Sequence, residues 1–332
     1  MSNSMGFSTY LDIRDTRENE MNLIKLDHQK LNHLHERLMR ETVNLSIKRM
    51  ITEYGPSPFP FCFFVMGSAG RSEQGVWSDQ DHGIVYGNTS NEAKDYFLRL
   101  GKEISDGLHQ TGYQYCDGDV MASNPLWCKP IEEWTNQIDT WIKEASWESI
   151  RYLLIFIDGR PLVGEAVFMK QIKLYAIESI HKNQLLSRLL NNTLHIKKGV
   201  GILGQLLAET HGPHSGALNL KERALFPYVN GIRLLAIRDK LTETSTLSRL
   251  RSLSGRTLSE QDKRLYEQQF LKLLSFRLAL ADHSNYDSGH YVTIDHLTKN
   301  QKAELKEIIK DGAHLFQSIR KIVEKEASNE DK

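Results

Sequence analysis

The sequence predicts an α+β protein: a small mixed sheet in its first half and helices through its second. Two observations carry this. Between residues 59 and 121 the apolar pattern reads strand, turn, strand, helix, strand, whereas from about residue 165 onward nearly every apolar stretch repeats at helical spacing. At 332 residues the chain is long enough for two cores. The predicted organisation is a helical lead over 1–55, a sheet-bearing domain over 56–165 and an all-α domain over 166–332.

Residues 1–20 are polar and weakly patterned, and read as a loose arm. Ile24, Leu31, Leu34, Leu38 and Leu45 then recur near helical spacing, predicting a helix over 22–54. Gly55, Pro56 and Pro58 stop it, because proline neither donates the helical hydrogen bond nor fits the preceding turn. Residues 59–66 form the first predicted strand and 81–86 the second. Asn88-Thr89-Ser90 is a helix start, residues 91–110 the helix and Gly112 its stop. Residues 113–121 offer a third strand. Residues 131–147 read as helix, and Trp127, Trp134, Trp141 and Trp147 read mainly as packing residues. Five helical segments follow, near 166–190, 192–209, 221–240, 258–282 and 301–327, with a frayed tail after Glu324. His28, His33, His35, His211 and His214 lack a ligand pattern and read as loose surface histidines.

Lys plus Arg and Asp plus Glu each number 42, a formal balance of zero. This argues against a general affinity for nucleic acid or anionic membranes, while a local phosphate site needs only a local patch. Three cysteines (Cys62, Cys116 and Cys128) without Cys-x-x-Cys spacing argue against a disulfide framework or a zinc site. No secretory signal pattern and no apolar run of ~18 residues is found. A cytoplasmic protein with no membrane partner is the expectation.

Chemistry concentrates in residues 65–86. A β-rich run enters the turn Gly67-Ser68-Ala69-Gly70, and about ten residues on comes Ser78-Asp79-Gln80-Asp81 before Ile84-Val85-Tyr86. If residues 79–86 are a strand, Asp79 and Asp81 share a face about 7 Å apart. Two such carboxylates suit hard divalent cations that also take phosphate oxygens. The glycine turn can aim backbone N–H groups and the Ser68 hydroxyl at those phosphates, and Arg71 is a fixed cationic fork beside them. The combination points to phosphoryl or nucleotidyl transfer.

On these residues the chain resembles the nucleotidyltransferase superfamily. The likeness is closest to the nucleotidyltransferase domain of bifunctional PII uridylyltransferase and to a bacterial putative nucleotidyltransferase family often fused to CBS and cyclic-nucleotide-binding domains. Gly67, Ser68, Gly70, Arg71, Glu73, Gln74, Asp79, Gln80 and Asp81 all fall on the second family's motif. Val120 to Trp127 followed by Trp134, then Asp158-Gly159-Arg160-Pro161 with Gly164, and Leu218 to Pro227 with Arg233 resemble its later signatures. The likeness spans roughly residues 56–250, without the CBS or cyclic-nucleotide modules.

The resemblance implies a nucleotidyltransferase-type mixed sheet and a Mg²⁺- (or Mn²⁺-) dependent transfer of NMP from an NTP, UTP or ATP, to an acceptor hydroxyl. A protein acceptor in signalling, as in uridylylation or adenylylation, would follow from the PII uridylyltransferase likeness. Asp79 and Asp81 are then the metal ligands, and Gly67, Ser68, Gly70 and Arg71 the triphosphate site. Arg71 paired with Glu73 or a nearby Asp is the alternative. Asp119 is the expected third carboxylate, with Asp117 or Asp158 as the alternatives. The competing function is a catalytically silent nucleotide-sensing or protein-interaction module that keeps the fold.

Overall fold

The computed structural model describes residues 7–330 and resolves the chain into two compact units. Met1–Trp141 and Ile155–Ala176 make the first, Ile142–Leu154 and Ile177–Lys332 the second.

The first unit opens with α1 (Tyr10–Ile24), where a loose arm was predicted. Thr9 and Asp12 close a reciprocal capping box, and Tyr10, Ile13, Arg17 and Met21 form one buried stripe at helical spacing. The stripe is hard to read because an arginine is one of its four buried members. Residues 1–6 of the predicted arm lie outside the described residues. Helix α2 (His28–Tyr54) is capped by the Asp27 carboxylate, which accepts from Lys30 N, and stops at Gly55. His35, read from sequence as a surface histidine, is fully buried on it.

Strand β1 (Phe61–Val65) leads through the single turn α3 (Gly67–Gly70) to β2 (His82–Tyr86), α4 (Asn91–Gln110) and β3 (Cys128–Pro130). Helices α5 (Ile131–Glu144) and α6 (Trp147–Phe156) precede β4 (Arg160–Gly164). The sheet runs β3-β2-β1-β4. β1 pairs antiparallel with β2, from Phe61↔Tyr86 to Val65↔His82, and with β4, while β2 and β3 pair parallel, so the sheet is mixed. Phe63, Val65, Ile84 and Tyr86 pack with Met39 and Val43 of α2 and Phe97, Leu100 and Ile104 of α4. Phe64 belongs instead to an aromatic group with Trp134 and Phe156, the alternation expected of a strand buried on both faces. Trp127, Trp134 and Trp141 pack as predicted, and Trp134 Nε1 donates to Ile84 O at 3.0 Å. Trp147 is exposed.

The predicted third strand over 113–121 does not form. Cys116-Asp117-Gly118-Asp119 closes a turn, with Asp119 N donating to Cys116 O at 2.9 Å and Asp119 at φ +52°. An isolated parallel bridge, Asp79↔Gln114, and a hydrogen bond from His82 N to Val120 O at 3.0 Å remain of it.

Helix α7 (Ala166–Lys182) carries the chain back into the second unit, which also holds Ile142–Leu154, with α8 (Leu186–Asn192), β5 (Ala217–Asn219) and a π-helical turn Lys221–Leu225 running into α9 (Phe226–Arg238). There follow α10 (Thr246–Ser252), α11 (Glu260–Leu280), β6 (Tyr291–Thr293), paired antiparallel to β5, and α12 (Lys299–Glu330). The helix predicted over 192–209 is absent past Asn192. Gly199, Gly201 and Gly204 interrupt it, and the chain closes isolated bridges Val200↔Leu206 and Glu209↔Ser215 instead. The tail predicted to fray after Glu324 is helical to Glu330.

Candidate active site

Asp81 lies one residue before β2, and its carbonyl accepts from Met66 N at 2.7 Å, prolonging the β1–β2 ladder. Asp79 is bridged to Gln114, with Gln80 N donating to Gln114 O at 3.0 Å. The segment is therefore extended although the strand proper starts at His82, and side chains alternate as predicted. Gln80 points inward and is fully buried, while Asp79 and Asp81 are partly exposed.

Gln80 is built into a buried chain. Its Nε2 donates to Ser105 O and Tyr113 O, each at 3.1 Å. Its Oε1 faces His82 Nε2 at 3.0 Å, and His82 Nδ1 accepts from Ala122 N at 3.1 Å. An accepting Nδ1 leaves the proton on Nε2, the neutral tautomer that donates to Gln80. Burial agrees, pushing the His82 pKa down to about 3.

The structure brings Asp79 and Asp81 together with a residue that sequence reasoning missed, Cys116. One ligand atom from each of the three lies within 4.8 Å of the others. The Cys116 thiol donates to Asp81 Oδ1 at 3.2 Å, and burial followed by the Asp81 charge pushes its pKa up to about 12. Two donors on one divalent ion lie at most the sum of two bonds apart, about 4.2–4.5 Å. The triad is thus close to the size that one ion requires. Its only signal in the sequence is the turn chemistry of residues 116–119, which sets Cys116 two residues beyond the Asp79 bridge partner.

Gly67 adjoins this group. Its φ is +51°, and a Cβ there would lie 2.0 Å from Asp81 Oδ2, so any side chain would displace the carboxylate. Gly70 packs elsewhere, where a Cβ would meet Asp158 O at 2.2 Å. Ser68 is partly exposed on the same turn, its carbonyl accepting from Glu73 N at 2.9 Å. Arg71 is committed to the ion pair foreseen as its alternative. Its Nε reaches Glu73 Oε2 at 2.8 Å and a terminal nitrogen reaches Asp158 Oδ2 at 2.6 Å, with the Arg71 side chain 15% exposed. That gives Glu73 a role and removes Asp158 from the list of third carboxylates. Asp119, the expected third carboxylate, stands outside the ligand group: it is exposed and accepts from Asn124 Nδ2 at 2.9 Å. Asp117 is exposed as well and is also outside the group.

The loop between Arg71 and Asp79 is fixed from behind by the two leading helices. Asn32 Oδ1 accepts from Gln74 N at 2.9 Å, and Gln74 Nε2 donates to Ser78 Oγ at 2.9 Å. His35 Nε2 donates to Gly75 O at 2.8 Å, with the Tyr113 hydroxyl at its Nδ1, 3.0 Å away. Arg17 donates to Val76 O at 3.1 Å and lies over the rings of Trp77 and Tyr113. From β4, Arg160 spans Glu36 and Ala69 O, at 2.9 and 3.2 Å.

Comparison with known families matches residues 15–148 to one described as putative nucleotidyltransferase DUF294, and residues 183–323 to one described as putative nucleotidyltransferase substrate binding domain. No protein of curated function matches the chain. Among the described residues, no helix is long and apolar enough to cross a membrane.

Proposed function

The chain belongs to the putative nucleotidyltransferase family, and from that membership we propose that it transfers an NMP from an NTP to an acceptor hydroxyl at Asp79 and Asp81. The observation that carries this reading is the convergence of the two aspartates on one face, with a third donor close to the span of one divalent ion. A divalent cation bound there, Mg²⁺ or Mn²⁺, would screen the triphosphate and polarise the phosphoryl group under attack. Gly67 lets the turn close on Asp81, so the triphosphate would lie between that turn and the aspartates, with the Ser68 hydroxyl and the N–H groups that open the turn as its donors, since Gly70 N already donates to Met66 O at 2.7 Å. Arg71 serves this turn through Glu73 and Asp158, by holding its shape. The Gln80–His82 chain supplies the stiffness that keeps both carboxylates aimed outward.

The acceptor class follows from resemblance to PII uridylyltransferase: a protein hydroxyl, with UTP or ATP as donor, presented by the region that matches the substrate-binding family. A catalytically silent nucleotide sensor is the second reading. It is favoured by the thiol of Cys116 standing where a third carboxylate was expected.

Calorimetric titration of UTP, ATP, GTP and CTP with Mg²⁺ or Mn²⁺ tests the site. Wild type should bind one nucleotide in a metal-dependent way, and Asp79→Asn/Asp81→Asn should not. Absence of binding under every metal condition would sink the reading. Binding without pyrophosphate release from any acceptor mixture would favour the sensor.

A further inference from the structure

Cys116 stands against the aspartate pair as a sulfur donor beside two oxygen donors. We propose that Cys116 is a thiolate ligand of the site's divalent cation, tuning it toward Mn²⁺, Co²⁺ or Zn²⁺ and away from Mg²⁺. This rests on the nucleotidyl-transfer reading of the same site and adds the identity of its third donor.

Three observations carry it. Cys116 Sγ reaches Asp81 Oδ1 at 3.2 Å and belongs to the 4.8 Å ligand group, so it needs little movement to share an ion with both carboxylates. The carboxylates that could compete are placed otherwise: Asp158 is paired with Arg71, Asp119 binds Asn124, and neither Asp117 nor Asp119 joins the group. The backbone also fixes the thiol. Asp79 is bridged to Gln114, and the Cys116–Asp119 turn closes at once behind it, which holds the sulfur beside the aspartates.

The chemistry of the donors then sets the preference. Mg²⁺ demands oxygen ligands at about 2.0–2.1 Å in near-octahedral array, and a thiolate offers it little. Sulfur favours the later first-row ions, and two carboxylates with one thiolate make a mixed set that Mn²⁺, Co²⁺ and Zn²⁺ accept. On ligation the Sγ–H bond breaks, the sulfur–metal bond forms and the proton passes to solvent, with no change of oxidation state. Cys62 and Cys128 are buried in β1 and β3 and lie outside the group, so they serve as internal controls.

Cobalt reads sulfur ligation directly. Full-length protein titrated with Co²⁺ alone should develop a near-ultraviolet sulfur-to-cobalt charge-transfer band, absent from Cys116→Ser. In the same variant calorimetric Co²⁺ affinity should fall by about tenfold or more, since losing even an outer partner of a metal ligand typically costs about 10- to 100-fold, with Mg²⁺ affinity unchanged. Cys116→Asp, which restores an all-oxygen set, should raise the Mg²⁺-to-Co²⁺ affinity ratio by about tenfold or more. That variant keeps the test alive should the serine variant fail to fold. Co²⁺ binding that Asp79→Asn/Asp81→Asn abolishes but that gives no band in wild type would overturn the thiolate and leave the site. A band that survives Cys116→Ser would overturn it too. Binding indifferent to the aspartates would overturn the site itself, and the nucleotidyl-transfer reading with it.

Discussion

Gly67 seats Asp81 by lacking a side chain, and His82 holds the neighbouring Gln80 by staying neutral. An alanine at position 67 would place its Cβ 2.0 Å from Asp81 Oδ2 at φ +51°. Relief requires the carboxylate to swing away, and the backbone conformation alone costs an L-residue about 1–2 kcal/mol. Gly67→Ala should therefore weaken divalent-ion binding by about tenfold or more with only that modest loss of stability. Metal titration beside urea denaturation checks this, and unchanged metal affinity would count against Gly67 as the seat of Asp81. His82 makes a pH prediction. Burial lowers its pKa from 6.5 to about 3 in the fold, so between these values the unfolded chain binds a proton that the native chain refuses. The stability is present above about pH 6.5 and falls as pH drops toward 3, by about 1.4 kcal/mol per pH unit. His290 is shifted the same way, so comparison with a variant isolates the effect. His82→Gln can keep both hydrogen bonds without titrating. Its stability should depend less on pH by about one proton, as measured by urea denaturation between roughly pH 7 and 5. An equal slope in both proteins would show that His82 does not carry it.

At the scale of elements, legibility followed length and local punctuation. Helix α4 (Asn91–Gln110) was predicted to its ends because Ser90 caps it and the Thr111-Gly112 turn stops it. β1 and β2 were legible from apolar runs flanking a glycine turn, and Asp79 with Asp81 from their i, i+2 spacing. Elements whose identity depends on distant partners were not. β3 is three residues long and contains a proline, and it is a strand because β2 lies beside it. The run over 113–121 alternates like a strand, but Cys-Asp-Gly-Asp prefers a turn and no neighbour outbids that local chemistry. Cys116 meets Asp81 across 35 positions, a contact that no local pattern encodes. Helix α1 was missed for a related reason, since its buried arginine has meaning only through Val76, Trp77 and Tyr113. This helix thus supports the loop that leads to Asp79 in the candidate site. Arg17→Met should cost about 2–3 kcal/mol, the range for a buried charged hydrogen bond with its ring contacts. It should also speed amide hydrogen exchange at Val76, Trp77 and Ser78 ahead of α4. If exchange in that loop is unchanged, α1 is packing alone.

For the whole molecule, the chain path and the family boundaries divide the protein differently. The nucleotidyltransferase match ends at residue 148, whereas the first compact unit needs Ile155–Ala176 as well. That later segment supplies β4, which covers the second edge of β1 from Cys62↔Gly164 to Val65↔Arg160. It also supplies Asp158, the 2.6 Å partner of Arg71, and Arg160, which ties Glu36 of α2 to the Ala69 carbonyl of the glycine turn. A fragment ending at residue 148 would leave β1 as an open edge and Arg71 with one carboxylate in a site from which water is largely excluded. Breaking a buried pair of this kind costs about 3–5 kcal/mol, a large share of a typical domain's stability of about 5–15 kcal/mol. Residues 1–148 should therefore fail to unfold cooperatively and should not bind divalent ions at Asp79 and Asp81. Residues 1–182, which restore β4, Asp158 and Arg160, should do both. Circular dichroism through a urea gradient, paired with metal calorimetry on each fragment, separates the cases. A sharp transition with metal binding in the shorter fragment would mean that β1, α2 and α4 suffice to build the site, and that Arg71 can hold its turn through Glu73 alone.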